Sequence, residues 1–405
     1  MITKRRMTLF FLVSILFSLA ASFAHPVTPT LFQNLGMADY LFGYALASMQ
    51  LVSFMLSPFW GKINTFISCR VSMLISCIGY ALGQFFFAIA TTETQFILAR
   101  AFAGIFTGGT FVSILNYVIN VTKDERQRGV YLTASATIQS VAGAFGFFVG
   151  GMLGAIDLSY ALIAQVITLA LCGFLFYFVC VDDVDPMIKG QGINWGKLVR
   201  EANPFTSFVT AGKFMTIALA ILFASSTFHS LGQTAFDQSF NYYIKDQFNF
   251  SSAYNGALKA AMGIITLIAN STICVYLINK TDVRKSIVGL LGLCSVTMLA
   301  IINTDSIIPF LTINVFFYAF AAICVPLLQN IAAKYASSGG DSNLVMGFYN
   351  SIKSLGGIIG AAASGSLYTL NPKYPFFCSL LAFAVATILA YFFYQSVKKR
   401  NYDTV

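Results

Sequence analysis

The chain has 405 residues, of which 57% belong to the hydrophobic set and only 10% are charged. Soluble globular proteins carry about a quarter charged residues, so this chain has too few charges to form a water-facing surface. The composition excludes a soluble enzyme, a secreted disulfide scaffold and a disordered chain, and it predicts a polytopic membrane protein.

Twelve apolar stretches are long enough to cross a bilayer, which takes about 20 residues. They lie at 8–31, 40–61, 71–91, 96–118, 130–154, 159–180, 212–240, 253–278, 287–303, 307–332, 344–369 and 375–396. The one long polar break divides them into two sets of six. We therefore predict an N-terminal six-helix bundle at 1–180, a cytoplasmic linker at 181–211 and a C-terminal six-helix bundle at 212–405.

Basic residues predict the orientation of these spans. Nineteen of the 24 Lys and Arg residues fall in the segments that share one side of the membrane with both termini, and only Lys245 and Lys373 fall in loops on the other side. By the positive-inside rule, both termini of this multi-pass plasma-membrane protein are cytoplasmic. Charges scattered in this way between the spans do not predict nucleic-acid binding, although the net charge is +9.

The first span has a second interpretation. Lys4, Arg5 and Arg6 before an apolar run, followed by the sequence at 21–24, are also typical of a secretory signal peptide. Cleavage there would leave eleven spans and one unpaired repeat, so we favour a membrane span. The eight cysteines form no CxxC pair and predict neither a disulfide nor a metal site.

The two sets of spans are related by an internal duplication with an offset near 214 residues. Glycine, arginine and asparagine positions recur at matching places: Gly43 and Gly256, Arg70 and Arg284, Asn116 and Asn330, Gly146 and Gly360, Gly151 and Gly365. Two parallel repeats of six helices are an architecture of secondary transporters. The predicted fold is therefore all-α, with twelve transmembrane helices in two pseudo-symmetric bundles.

Three motifs carry a family resemblance. The fourth span contains Arg100, Gly104 and Gly108 in an RxxxGxxxG pattern. The loop after the second span runs from Gly61 through Thr65 to Arg70, and the fifth span holds Gly146, Gly150 and Gly151. Together they resemble the major facilitator superfamily and, within it, the twelve-helix drug:proton antiporter group.

The resemblance implies roles for these motifs and also shows departures from them. In the family, an acid in the loop steadies the closed cytoplasmic gate, but Thr65 occupies that position here, and the second-half copy keeps an acid at Asp282. The fifth-span motif is associated with export; here Ala142 replaces its first Gly and Phe147 its Pro. The same small residues are also explained as a helix-packing face.

Ionisable residues inside spans are candidates for substrate or ion coupling, because a charge in the bilayer costs about 2.5–3.5 kcal/mol or more. The candidates are His25, Arg100, His229, Asp237, Lys259 and Lys353. Four of them, His25, Arg100, Asp237 and Lys259, fall in the outer third. Asp237 there either pairs with one of the cations or lies with Lys259 at the water interface.

Lys353 lies deeper, in the eleventh span, with Asn350 one turn before it. A lysine there either faces an aqueous cavity or pairs across to another helix. No acid falls at that depth in the sequence, so we expect the cavity, with Asn350 and Asn330 as hydrogen-bond partners; Lys353 would then bind an anionic group or titrate during the transport cycle. Proton coupling would fall on His25, His229 or Asp237, although a lone membrane histidine also serves as a packing hydrogen-bond donor.

The predicted function is secondary active transport by alternating access, as proton-coupled efflux of an amphipathic organic compound. The alternative is proton-coupled uptake of a sugar or an organic anion. HExxH, GxSxG and Walker motifs are absent from the sequence, and no loop resembles a channel filter, so neither an enzyme, an ATP-driven pump nor a channel is predicted. The expected partners are a small molecule, protons and the lipid bilayer; the chain is expected to be a monomer without cofactor or metal.

Overall fold

A computed structural model describes residues 4–184, 195–196, 198, 202–338 and 342–402. The elements in these ranges are helices. The first half contains α1 (Lys4–Ala21), α2 (Thr28–Asn34), α3 (Leu41–Ile63), α4 (Cys69–Ile89), α5 (Glu93–Val121), α6 (Glu125–Ile156) and α7 (Leu158–Val179). Part of the predicted linker, at 185–194, 197 and 199–201, lies outside the described residues.

The second half begins with the short helix α8 (Thr206–Thr210) and a 3-10 turn at Ala211–Lys213. The helices that follow are α9 (Ile217–Asp246), α10 (Ser252–Ala269), a π-helical turn at Asn270–Cys274, α11 (Val275–Lys280), α12 (Val283–Ile302), α13 (Ile307–Ser338), α14 (Ser342–Leu370) and α15 (Tyr374–Tyr402). Each of the twelve predicted spans therefore corresponds to helix in the structure, and the all-α membrane fold is confirmed.

Nine helical segments in the described ranges are long and apolar enough to cross a membrane by themselves. The other three predicted spans are α1 together with α2, then α9, and finally α14. His25 lies in the turn between α1 and α2, Asp237 lies in α9, and Lys353 lies in α14. Candidate coupling residues lie in both groups of spans, since Arg100 and Lys259 fall in α5 and α10, which are apolar enough by themselves.

The first span is not one continuous helix. Residues 22–27 form a turn between α1 and α2, and this turn contains Pro26, which has no N–H to donate to the preceding helical turn. The exposed carbonyl of Ala21 accepts hydrogen bonds from Gln165 Nε2 at 3.0 Å and from Tyr80 Oη at 3.5 Å. Neighbouring helices thus satisfy the backbone at the interruption, and His25 lies within it.

The structure divides into two compact units. One comprises Met1–Leu41, Ser48–Pro204 and Ile244–Gly263; in it α4 packs on α5 and α7, and α1 packs on α6. Its core contains large, fully buried rings, among them Phe10, Phe17, Tyr80, Tyr117 and Phe176.

The other unit comprises Phe42–Ala47, Phe205–Tyr243 and Ile264–Val405. In it α12 packs against α13 and α15. Phe236 of α9 lies at the centre of its aromatic core, with its ring centroid 4.3 Å from that of Phe317 and 5.4 Å from that of Tyr318. Each unit includes a short segment from the other half of the sequence, Ile244–Gly263 in the first and Phe42–Ala47 in the second.

Candidate functional site

The glycines of α6 make the closest backbone contacts of this helix. A Cβ at Gly146 would overlap the carbonyl oxygen of Leu19, and one at Gly150 would overlap that of Phe23, so α6 lies directly on the backbone of α1. Gly151 faces Ser252 and Gly256 of α10 in the same way. Larger residues at these positions would separate the helices.

The second repeat reproduces this packing. Gly360 of α14 contacts the backbone of Leu231 in α9, as Gly146 of α6 contacts that of Leu19 in α1. Gly43 of α3 contacts Gly365 of α14, and Gly256 of α10 contacts the backbone of Phe147 in α6. The matched pairs of the sequence duplication thus occupy matched helix contacts, each inside one unit.

The remaining motif glycines are placed differently from one another. Gly104 of α5 lies against the backbone of Met49, and Gly108 against the hydroxyls of Ser53 and Ser57. Gly61 has more room, because a Cβ there would meet only Val112, at 3.9 Å. Gly104 and Gly108 therefore permit a close approach of α3 and α5, whereas Gly61 is not needed for one.

Two basic residues lie beside one aromatic ring in the first unit. The imidazole of His25 stacks on Phe147 with the ring centroids 5.2 Å apart, and Lys259 Nζ lies 5.9 Å from the same ring centroid. The predicted outer-third cluster thus forms in part around Phe147, the residue that replaces the motif proline.

Arg100 itself is 5% exposed and has an aromatic partner. Its guanidinium carbon lies 4.0 Å from the centroid of Phe87, and Nη1 lies 3.9 Å from the sulfur of Met49. No carboxylate lies within ion-pair distance of Arg100 among the residues that the structure describes. A cation–π contact worth about 2 kcal/mol when desolvated offsets part of the cost of burying this charge.

Asp237 lies in α9 within the second unit, where Tyr318 and Gln233 donate hydrogen bonds to it. Tyr318 Oη donates to Oδ1 at 2.6 Å, and Gln233 Nε2 donates to Oδ2 at 2.9 Å. The tyrosine comes from α13 and the glutamine from the preceding turn of α9. The two donors hold a carboxylate inside the predicted seventh span in one orientation.

Lys353 and His229 occupy another part of the second unit. Lys353 Nζ lies 5.4 Å from the ring centroid of Tyr349, and its backbone carbonyl accepts a hydrogen bond from Ser230 Oγ at 2.7 Å. Within the described ranges no carboxylate pairs with Lys353. His229 is 3% exposed and packs edge-on to Phe383, and its Nε2 has no hydrogen-bond partner in the described part of the chain.

The two asparagines proposed as partners of Lys353 make different contacts. Asn330 is half-buried, and no described residue donates to its Oδ1. Asn350 is exposed, and its backbone carbonyl accepts from Ser354 Oγ at 3.0 Å. Neither amide is hydrogen-bonded to the Lys353 ammonium in the structure.

The loop between α3 and α4 is anchored by carboxylates that the motif comparison did not identify. Thr65 is exposed, and its hydroxyl donates to the carbonyl of Lys62 at 2.8 Å. Arg70 Nη2 instead lies 3.7 Å from Asp182 Oδ2, and Asp183 Oδ1 accepts from the backbone N–H of Cys69 at 2.8 Å. Two consecutive acids directly after the sixth span were the sequence feature that could have suggested this.

The corresponding loop of the second repeat has a local pair instead. Asp282 lies before the first turn of α12, and its Oδ1 accepts from the backbone N–H of Arg284 at 3.0 Å and from Arg284 Nε at 3.1 Å. Partial burial by itself would raise the pKa of the Asp282 carboxyl, but the hydrogen bonds and charge of Arg284 outweigh it and lower that pKa. The acid stays ionised and caps the helix.

Asp183→Ala is expected to lower the free energy of unfolding by about 1–3 kcal/mol, because it removes the cap of α4 and a second hydrogen bond. That second bond is donated by Asn120 Nδ2 to Asp183 Oδ2 at 2.8 Å. Asp182→Ala is the matched control and should cost at most about 1 kcal/mol, since its pair with Arg70 is partly exposed. Thermal unfolding followed by circular dichroism measures both, and equal shifts would show that Asp183 is not a cap.

Helices that cross a membrane, a duplicated set of close glycine contacts and ionisable side chains inside the spans define a secondary transporter. The chain belongs to the Major Facilitator Superfamily, whose family model matches residues 10–269 and 222–404. It is 21% identical to Multidrug resistance protein 2 of Bacillus subtilis over 367 aligned residues. The aligned region covers 87% of this chain and 86% of that protein.

Solved transporter structures share the fold. The nucleoside transporter NupG superposes with a TM-score of 0.73 at 14% identity, over 97% of this chain and 99% of that one. The human organic anion transporter MFSD10 gives a TM-score of 0.69 at 19% identity, over 96% and 100%. At these identities the likeness extends to the fold and leaves the substrate to be argued from this chain's own residues.

Proposed function

We propose that this transporter exports amphipathic organic compounds by alternating access and that each cycle is driven by protons entering the cell. The observation that carries the proposal is the Asp237 carboxylate, held within the spans by Tyr318 and Gln233. The similarity to a multidrug resistance protein over most of both chains supports the export direction. The helix contacts of Gly146 and Gly150 support it too, since their motif resembles one associated with export.

A membrane carboxylate can couple proton binding to a conformational change. Ionised Asp237 accepts the Tyr318 and Gln233 hydrogen bonds; protonation removes its charge, weakens those bonds and makes burial in apolar surroundings less costly. A conformation that shields the residue from water is therefore favoured by the protonated form. Proton binding and release then shift the populations of the two access states.

The two histidines are weaker candidates for the same role. His229 is almost wholly buried and packs edge-on against Phe383, which is typical of a packing residue. His25 stacks on Phe147, and the Lys259 ammonium lies beside the same ring, so a further positive charge there is disfavoured. Asp237 differs from both histidines in that Tyr318 and Gln233 donate hydrogen bonds to its carboxylate.

Reconstitution into proteoliposomes tests the proposal. The proteoliposomes contain pyranine as an internal pH dye, and a proton gradient is imposed across their membrane. Added ethidium should be transported in the direction opposite to proton flow, and this transport should speed the dissipation of the proton gradient. A protonophore should stop accumulation. Transport of ethidium that is unaffected by the protonophore would refute proton coupling, and accumulation only in the direction of proton flow would refute export.

A second candidate function is transport of organic anions, which the surroundings of Lys353 favour. Its ammonium contacts the face of Tyr349 and has no carboxylate partner in the described ranges. An uncompensated ammonium inside a span is costly and is stabilised by water or by an anionic group of a ligand. Export and anion recognition are compatible, because one concerns direction and the other the substrate's charge.

Lys353→Ala should raise the KM for fluorescein, an anionic dye, at least about tenfold, because a hydrogen bond to a charged group contributes about 1.5–3 kcal/mol. Transport of the neutral dye Nile red should change little. Lys353→Arg keeps the charge and should fall between wild type and alanine for fluorescein. Lys334→Ala, a change of an exposed lysine at the end of α13, is the control; equal effects on both dyes would show that Lys353 does not recognise charge.

A further inference from the structure

The first unit contains a polar cavity that the motifs do not describe. It has a volume of about 420 Å³ and lies between α1, α5 and α6. Its wall is formed by Ser18, Ala21, Ser22, Phe111, Ala136, Gln139 and Ser140. Cavities of about 300–1,000 Å³ are the size of small-molecule sites.

The cavity lies well inside the span rather than at its end. Gln139 is fourteen residues from the start of α6 at Glu125, which corresponds to about 21 Å along the helix at 1.5 Å per residue. Ser18 is fourteen residues from the start of α1 and so lies at a similar height. Transporter substrates bind near the bilayer midplane, which is where these two residues fall.

Three polar side chains of the wall are unsatisfied. Within the described part of the chain, the Gln139 amide and the hydroxyls of Ser18 and Ser140 have no protein hydrogen-bond partner; Ser18 is 5% exposed, Gln139 is half-buried and Ser140 is open to the cavity. Other hydroxyls nearby are bonded to their own helix: Thr137 Oγ1 donates to the carbonyl of Thr133 at 3.0 Å, and Ser22 Oγ donates to that of Ser18 at 3.4 Å. Unsatisfied groups at this depth require water or a polar ligand.

The chemistry of the wall selects the ligand. None of the seven described lining residues is ionisable, so the cavity offers no charge to an ion. An amide and two hydroxyls can each donate and accept hydrogen bonds, which suits a group that does both. Phe111 adds an aromatic face for an apolar part of the same molecule.

The two halves of the duplication carry different side chains at the repeat position of Gln139. The 214-residue offset that relates Gly146 to Gly360 also relates Gln139 to Lys353. The same position of the repeat thus carries an uncharged amide in one unit and an ammonium in the other. A duplication that has diverged at one position in a polar wall indicates two different recognition tasks.

We infer that the cavity of Ser18, Gln139 and Ser140 is a subsite for an uncharged hydroxyl or amide group of the transported molecule. The inference rests on the proposed transport of amphipathic organic compounds and names one feature of their chemistry. Substrates would then carry a hydroxyl or amide in addition to their apolar part. Gln139 supplies the main contact, because its amide can donate and accept at once.

Protection from labelling tests the subsite with two probes, N-dansyl-glutamine and N-dansyl-norleucine, which share the dye and carboxylate and differ in the amide. In Ser140→Cys, a water-soluble maleimide should label the new thiol rapidly, against a background of seven buried native cysteines and the half-buried Cys378. Dansyl-glutamine should slow labelling more than dansyl-norleucine does. No labelling, or equal protection by the two dyes, overturns the inference.

Gln139→Leu should abolish the preference for dansyl-glutamine. The apparent affinity for this dye should fall by about three- to tenfold, which corresponds to the loss of one net hydrogen bond. Thr137→Val is the matched control, since that hydroxyl is already bonded to Thr133 and its loss should leave the preference unchanged. A wild-type preference in Gln139→Leu overturns the inference. Both assays run at equal pH on the two sides, so failure of proton-driven export leaves them unaffected and the two proposals fail separately.

Discussion

Asp237→Asn is expected to reduce proton-driven transport to the level of empty liposomes while substrate exchange without a gradient persists. Asparagine has nearly the same shape and can still accept the hydrogen bond of Tyr318, which in the native protein is 2.6 Å long. It cannot bind and release a proton. The variant should therefore fold and bind substrate but lose the charge change that favours one access state over the other.

The measurement compares two assays on the same proteoliposomes: accumulation of ethidium driven by a pH gradient, and exchange of labelled for unlabelled ethidium at equal pH. Asp305→Asn is the acidic control, because that side chain is 86% exposed and pairs with Lys373 at a helix end. If Asp237→Asn still accumulates ethidium, a residue other than Asp237 couples transport to protons. Loss of both activities would indicate a structural role for the carboxylate.

Gly150→Ala is expected to destabilise the protein by about 1–3 kcal/mol or to separate α6 from α1, because the added methyl would overlap the carbonyl oxygen of Phe23. A backbone atom cannot move aside as a flexible side chain can. The cost therefore falls on the contact between two helices of the first unit. Transport should fall with it, since Ser18 of α1 and Gln139 of α6 line the same cavity.

Gly129→Ala in the same helix is the matched control. A Cβ at Gly129 meets nothing within 4 Å, so alanine there should stabilise the helix by about 1 kcal/mol. Thermal unfolding monitored with a thiol-reactive fluorophore suits both variants, because seven of the eight cysteines are buried until the protein unfolds. A melting temperature for Gly150→Ala equal to or above that of Gly129→Ala would show that the close approach at Gly150 is not needed.

The positions of the spans could be predicted from the sequence because the length and polarity of an apolar run are local properties. The twelve stretches predicted from composition coincide with helices, including the three, around His25, Asp237 and Lys353, that are not among the nine long apolar helices of the described ranges. The duplication was equally visible, since the residues it repeats are close in type and at constant spacing.

The pattern of apolar residues did not show where the helix within a span is interrupted. The first span was expected as one helix at 8–31, but it is interrupted between Ala21 and Thr28. A proline inside an apolar run is compatible with either a kink or a break. Here the chain breaks, and Gln165 and Tyr80, which are distant in sequence, donate hydrogen bonds to the freed Ala21 carbonyl.

Partners of the candidate residues were decided by tertiary structure alone. Which face a residue presents depends on how each helix is rotated about its axis and on which helix lies beside it, and neither is encoded in a local pattern. Asp183 meets Cys69 across 114 residues of sequence, and Arg100 finds the ring of Phe87 rather than a carboxylate. The sequence by itself thus determined the membrane class, the spans and the family resemblance, whereas the packing of rotated helices decided the site contacts and the polar cavity at Gln139.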